Sequence, residues 1–216
     1  MTLSTFRSFI LALAAIASAS AQSSAANAAK SQLVAVDNGV ASFHVRTNIP
    51  ALEVSGKSAA LQARVLMHRD ADGVKLERIE AWVSAATLKT GMSLRDEHMR
   101  KRIFTTSGGE VPDLRFESGD VNCPGVAPGR EATCAITGTL AIRGASRSFS
   151  IPLKVRQEGN GTAFRAIGDG VVKLSDYGIE QPSQLGVKTS NEVSIHLDLS
   201  VKEADLVATA SGSGRR

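Results

Sequence analysis

Aromatic residues are scarce: seven phenylalanines, one tyrosine and one tryptophan in a chain of 216 residues. Nucleic-acid readers stack bases on aromatic platforms and concentrate cations on one face. Here the formal charge is only +4, the cations are scattered, and the one dense run is Arg100-Lys101-Arg102. The sequence therefore speaks against nucleic acid as a partner. Cysteine is nearly absent. Two cysteines exclude a multi-bridge scaffold and an all-cysteine zinc site. The four histidines, His44, His68, His98 and His196, are far apart and form no metal motif. There is no Gly-x-Ser-x-Gly elbow, no His-Glu-x-x-His and no phosphate-binding glycine loop. These absences leave no metal, no cofactor and no catalytic apparatus to argue from, and we read the chain as non-enzymatic.

Long apolar runs are also missing, with one short exception. Phe9 to Ala17 is apolar, follows Arg7, and leads into small residues ending Ala19-Ser20-Ala21. That order describes a secretory signal peptide, and the run is too short for the ~20 residues that span a bilayer. We expect cleavage after Ala21 and residence in the periplasm of a Gram-negative cell. Residues 1–21 are then the signal peptide and 22–32, small and polar, a flexible leader. Residues 33–203 form one domain, and 204–216, ending SGSGRR, a disordered tail. In an oxidising compartment Cys123 and Cys134 are expected to form a disulfide. Pro124-Gly125 and Pro128-Gly129 lie between them, so the pair should staple the arms of one hairpin.

What is abundant is period-two alternation. Val65 and Met67 alternate with Arg64 and His68, Ile79 and Val83 with Arg78 and Trp82, and similar runs recur to Val201. The pattern predicts strands near 40–46, 53–69, 74–84, 112–122, 132–142, 148–156, 162–174 and 192–202. Turn residues punctuate them at Asp70-Ala71-Asp72-Gly73, Arg143-Gly144-Ala145-Ser146 and Glu158-Gly159-Asn160-Gly161. One helix is expected between strands three and four. Ser93 is its candidate cap, Asp96 completes a capping box, and Met99, Ile103 and Leu94 give it an apolar side.

Eight amphipathic strands in hairpin order predict an all-β, eight-stranded antiparallel barrel of lipocalin type, because closure removes exposed edges. Such a barrel is either filled by side chains or holds one small ligand. Ala59, Ala63, Ala81, Gly138, Gly168 and Gly170 fall on the inward phase of the alternation, which favours a cavity. The alternative is that these small residues mark tight bends and that aliphatics fill the interior.

The run Thr90-Gly91-Met92-Ser93-Leu94-Arg95-Asp96-Glu97-His98-Met99 closely resembles the middle segment of the YceI-like family. The likeness continues at Phe104, Pro112-Asp113-Leu114-Arg115-Phe116, Gly138 to Gly144, Leu174 to Ile179 and Glu192-Val193-Ser194-Ile195. It departs where Leu174 replaces the usual arginine and where the segment after the helix is glycine-rich rather than aromatic. The resemblance implies an exported polyisoprenoid-binding protein with a lipocalin-like barrel. The expected cargo is a polyisoprenoid, an isoprenoid quinone or a fatty amide, held for transport, storage or sequestration. The expected lining is Phe43, Val45, Leu61, Val65, Ile79, Val83, Phe116, Ile136, Leu140, Phe149, Ile151, Phe164, Ile195 and Leu197, each of which ordinary core packing would also explain.

Arg95 and His98, three apart on the helix, share a face, and Asp96 points aside. They form either a clamp for a headgroup or an Arg–Asp network that locks the helix across the barrel end. Tyr177 invites the same two readings, with packing and a bonded hydroxyl favoured. The basic run is a solvated helix face or a site of transient contact with a membrane surface. The sequence is compatible with a homodimer. The competing function is that of a non-enzymatic envelope interaction protein with a filled barrel.

Overall fold

The computed structural model describes residues 31–70, 73–159 and 163–202. The expected signal peptide and tail lie outside the described residues, as do parts of the turns at 70–73 and 158–161. Eight long strands close into an antiparallel barrel. They are β1 Ser31–Arg46, β2 Glu53–Asp70, β3 Gly73–Val83, β4 Leu114–Asn122, β5 Glu131–Ile142, β6 Ala145–Glu158, β7 Ala163–Lys173 and β10 Glu192–Lys202. Around the wall the order is β1-β10-β7-β6-β5-β4-β3-β2. A small separate hairpin pairs β8 Ser183–Gln184 with β9 Val187–Lys188. The helix α1, Ser93–Met99, links β3 to β4 and runs on through a π-helical turn, Arg100–Phe104.

The eight barrel strands and their order match the alternation; apart from the small β8–β9 hairpin, which the alternation does not predict, the differences lie at element ends and in phase. β1 starts at Ser31 rather than near residue 40, so Ser31 and Gln32 belong to the sheet and not to a leader. Asp37-Asn38-Gly39 breaks the sequence pattern there, but the backbone on its far side still pairs with β2, Val34 with Val65 and Val36 with Ala63. Long-range pairing overrides weak local signal. At the other hairpin, Arg143 and Gly144 take φ of 52° and 79°, which makes a two-residue turn of the primed type.

Within β2 the alternation slips. Ser58 and Leu61 are buried, whereas Ala59 and Ala60 are exposed. Ala59 therefore faces out, not in. The ladder passes from Gly39↔Leu61 to Ala41↔Ser58, so two residues of β2 oppose one of β1 in a bulge. The Ser58 hydroxyl holds the bulge, accepting from the Ala60 amide at 3.1 Å and bonding the Thr87 hydroxyl at 2.7 Å.

The inward glycines do not widen the interior as expected; large neighbours occupy the space above them. A Cβ on Gly168 would sit 2.4 Å from Leu153 Cδ2, and one on Gly170 would sit 2.9 Å from Phe149 Cζ. Gly138 pairs with Ser118 at a register shift of the β4–β5 ladder, where a Cβ would lie 2.1 Å from the Glu117 carbonyl oxygen. Backbone cannot swing away like a side chain. Gly138→Ala is therefore expected to cost about 2 kcal/mol, read as a lowered urea midpoint at unchanged m-value.

The barrel has two differently packed ends. At the lower end, away from α1, the core includes Val34, Val36, Met67, Val74, Phe164 and Leu199. Cys134, Val126, Leu153 and Val155 pack beside it. At the upper end, Met99, Phe104, Ile142, Leu174, Tyr177 and Ile179 pack around the helical linker. The β3–β4 ladder is short, joining only Glu80–Val83 to Leu114–Glu117. Below it the wall is completed by the 123–134 loop, closed by the Cys123–Cys134 disulfide. Val126 in that loop is wholly buried. Its amide donates to the Val74 carbonyl at 2.9 Å, and the Val74 amide donates to the Val126 carbonyl at 3.2 Å.

Candidate functional site

Between the packed floor and the helix the barrel is hollow. The cavity measures about 610 Å³, within the ~300–1,000 Å³ typical of small-molecule sites. The filled barrel is thus not what forms. Of the side chains expected at the site, all but Val65, Phe164 and Tyr177 line this cavity. Phe164 belongs to the lower core, and Val65 packs against it. Tyr177 is buried in the upper cluster instead. Its hydroxyl has no hydrogen-bond partner among the described residues, against expectation, and burial pushes its pKa up, with Asp176 adding to the rise.

Each wall residue is placed by strand parity. Leu61 on β2, Ile79 on β3, Ile136 on β5, Ile151 on β6 and Leu197 on β10 converge near the floor. Phe43, Val83, Leu140 and Ile195 line the upper wall. Phe116 meets Phe149 edge to face across β4 and β6, with centroids 6.3 Å apart and planes at 82°. Such a pair fixes both rings against the hollow.

Polar side chains gather at the upper end. Arg95, His98 and Arg102 reach the cavity from the helical linker, beside Thr90. The linker is tied down by Asp96. It is buried and, unlike Arg95 and His98, does not border the cavity; one carboxylate oxygen accepts from the Thr90 amide at 2.7 Å and from the Thr90 hydroxyl at 2.6 Å. No capping box forms, since Met92 holds the cap position and Ser93 is the first helical residue. Arg95 joins the same node, its Nη2 donating to the Thr90 carbonyl at 2.7 Å. The locking network thus runs through Thr90 and contains no direct Arg95–Asp96 ion pair. Arg95 also keeps a buried Nε without a partner. Asp96 thus anchors the helix through Thr90, while Arg95 and His98 border the hollow.

The Thr90 hydroxyl, then the Thr90 amide, hold the Asp96 carboxyl below its ordinary value of 3.8. A carboxyl lowered in the folded state contributes stability fully above the unfolded value and loses it as pH falls through the folded one. Asp96→Asn is therefore expected to lower the urea midpoint near neutral pH. The gap to wild type should close in acid well below 3.8, where the native carboxyl is also protonated. A gap independent of pH would show that charge plays no part.

Three segments frame the mouth: the helical linker, the β1–β2 turn and the β8–β9 hairpin. Leu52, Met92, Leu185 and Val187 from these segments also line the cavity. Sequence reasoning missed them. Strands of two residues carry no periodicity, and the only cue to the hairpin was Gly186 after Leu185. Among the described residues, no group of three or more His, Cys, Asp or Glu is placed to hold a metal ion. The arrangement is an apolar pocket, closed below, with a cationic and hydrogen-bonding collar above.

Comparison with known proteins agrees with this architecture. The family profile described as a YceI-like domain matches residues 21–201. No curated protein matches the chain by sequence. Among solved structures, a polyisoprenoid binding domain from Saccharophagus degradans, described as implicated in plant cell wall breakdown, superposes with a TM-score of 0.59 at 15% identity. That match covers 80% of this chain and 99% of the other. Burkholderia cenocepacia BcnA gives a TM-score of 0.56 at 18% identity, covering 75% and 96%. The Campylobacter jejuni YCEI protein gives 0.55 at 17%, covering 72% and 88%. At these identities the likeness is one of fold.

Proposed function

The chain belongs to the YceI-like family, and from that premise we propose that it is an exported lipid carrier. Its barrel holds a polyisoprenoid or a similar long-chain amphiphile, such as an isoprenoid quinone or a fatty amide. The role is transport, storage or sequestration in the periplasm, without catalysis. The observation that carries this reading is the hollow of about 610 Å³, walled by aliphatic and phenylalanine side chains and closed at one end. The similar fold of a polyisoprenoid binding domain supports it.

The polarity of the cavity orients the cargo. Its apolar tail lies toward Leu61, Ile136 and Ile151, and its polar head lies at the collar of Arg95, His98 and Arg102. Each methylene moved from water into the pocket contributes roughly 0.8 kcal/mol, less the cost of ordering the chain.

The test is organic extraction of the purified protein followed by mass spectrometry. A long-chain lipid at one equivalent per chain is the expected result. An extract without lipid, together with no uptake of added prenyl alcohols or quinones, would overturn the reading.

A further inference from the structure

The collar bears an apolar rim that folding does not account for. Leu185 is 96% exposed, Leu94 61%, Met92 57%, Ile49 43% and Leu52 42%. All but Ile49 also line the cavity, so the same apolar side chains border both the hollow and the outside. Leu185 is the most unusual of them. It stands at the β8–β9 tip with φ of 51°, a left-handed conformation that disfavours a side chain with a Cβ. Asparagine or glycine would suit that turn better on both counts of strain and exposure.

The tip is also held firmly. The Asn48 side chain donates to the Gly186 carbonyl at 3.0 Å and accepts from the Lys188 amide at 2.8 Å. The Asn48 amide donates to the Lys188 carbonyl at 2.9 Å. A leucine pinned outward in a disfavoured conformation is a feature to be sought at functional sites.

Charge at the same level identifies what the rim meets. Lys101 is paired with Glu97 at 2.7 Å, and the Asp96 carboxylate is engaged by Thr90. Arg102 is exposed, borders the cavity, and has no acidic partner among the described residues. Apolar tips beside an unpaired cation match a bilayer with anionic headgroups, where tips enter the acyl boundary and the cation meets phosphate.

We propose that the mouth docks on an anionic bilayer surface. Leu185, Leu94 and Met92 sink into the interface, Arg102 sits on the headgroups, and the cargo passes between bilayer and cavity without crossing water. This rests on the cavity being a lipid site and adds where the lipid is exchanged.

Vesicle flotation of the purified protein tests it. Vesicles of phosphatidylcholine and phosphatidylglycerol in equal parts should carry wild type upward, and high salt or phosphatidylcholine alone should weaken that. Leu185→Asn should lower the apparent affinity about tenfold. Its urea midpoint should stay equal or rise, because asparagine accepts the left-handed turn. Arg102→Gln should flatten the salt dependence. Wild type that stays at the bottom of the gradient overturns docking, as does a Leu185→Asn protein that floats like wild type. A wild-type dimer by light scattering that Leu185→Asn dissociates, with no flotation, assigns the rim to a second copy and equally overturns it. Lipid extraction from the same preparation judges the cavity separately. Flotation without cargo would retain docking and reject the carrier function.

Discussion

Ala81→Trp is expected to leave the barrel folded and to remove its capacity for a lipid tail. Ala81 is half-buried, pairs with Ala63 and Phe116, and lines the hollow where it meets the lower core. An indole there grows into empty space, so the penalty that normally follows overpacking is largely avoided. It displaces about four methylenes of a tail, or ~3 kcal/mol, which is roughly a hundredfold in affinity. Ala59→Trp is the control, because the β2 bulge turns that alanine to the outer face. Titration with a fluorescent prenyl probe reads both variants. Wild-type affinity in Ala81→Trp would mean that the tail lies elsewhere.

The second large effect concerns the disulfide. Replacing Cys123 and Cys134 together by alanine is expected to cost about 3 kcal/mol through lost loop closure. In a domain of this size that lowers the thermal midpoint by roughly 2–4 °C per kcal/mol. The loss should be local as well as global. The loop seals the wall where β3 and β4 stop pairing, through the two Val74–Val126 backbone bonds. Hydrogen exchange at the Val74 and Val126 amides should then speed up more than in the long β5–β6 ladder, which runs from Glu131↔Arg156 to Ile142↔Ala145. If those amides keep their protection, burial of Val126 alone holds the seal.

These two variants also mark how far the sequence could be read. The barrel was legible because inward aliphatics recur every second residue over strands long enough to establish a phase. The helix was legible from its place between strands three and four and from Met99 and Ile103. Ala59 was misplaced because alternation has no means of announcing a bulge, which depends on a register shift against β1. The inward glycines were read as open space. In the structure, Leu153 and Phe149 reach across to fill that space, a cross-strand fact that sequence spacing does not contain.

The site divides in the same way. Phe43, Leu140 and Leu197 were placed on the wall by parity alone, and parity could not tell height along a strand. Val65 and Phe164 face inward as predicted, yet they sit below the hollow. Asp96 was read as the capping-box partner of Ser93 from the spacing between them, whereas the closed linker sets it against Thr90. The rim was invisible because Leu52, Met92 and Leu185 come from three separate loops that meet only after the barrel shuts.

The packed floor has a consequence for selectivity. Met67, Val74, Phe164 and Leu199 pack across the lower barrel, so among the described residues the hollow ends on a floor of side chains, with Leu199 bordering both. Its depth is a fixed length measured from the collar. A hydrocarbon shorter than that depth leaves wall unmatched, and a longer one must double back or trail from the opening. For the lipid cargo proposed above, the floor would act as a gauge, and moving it by one side chain would shift the preferred chain length while leaving the chemistry at the collar untouched.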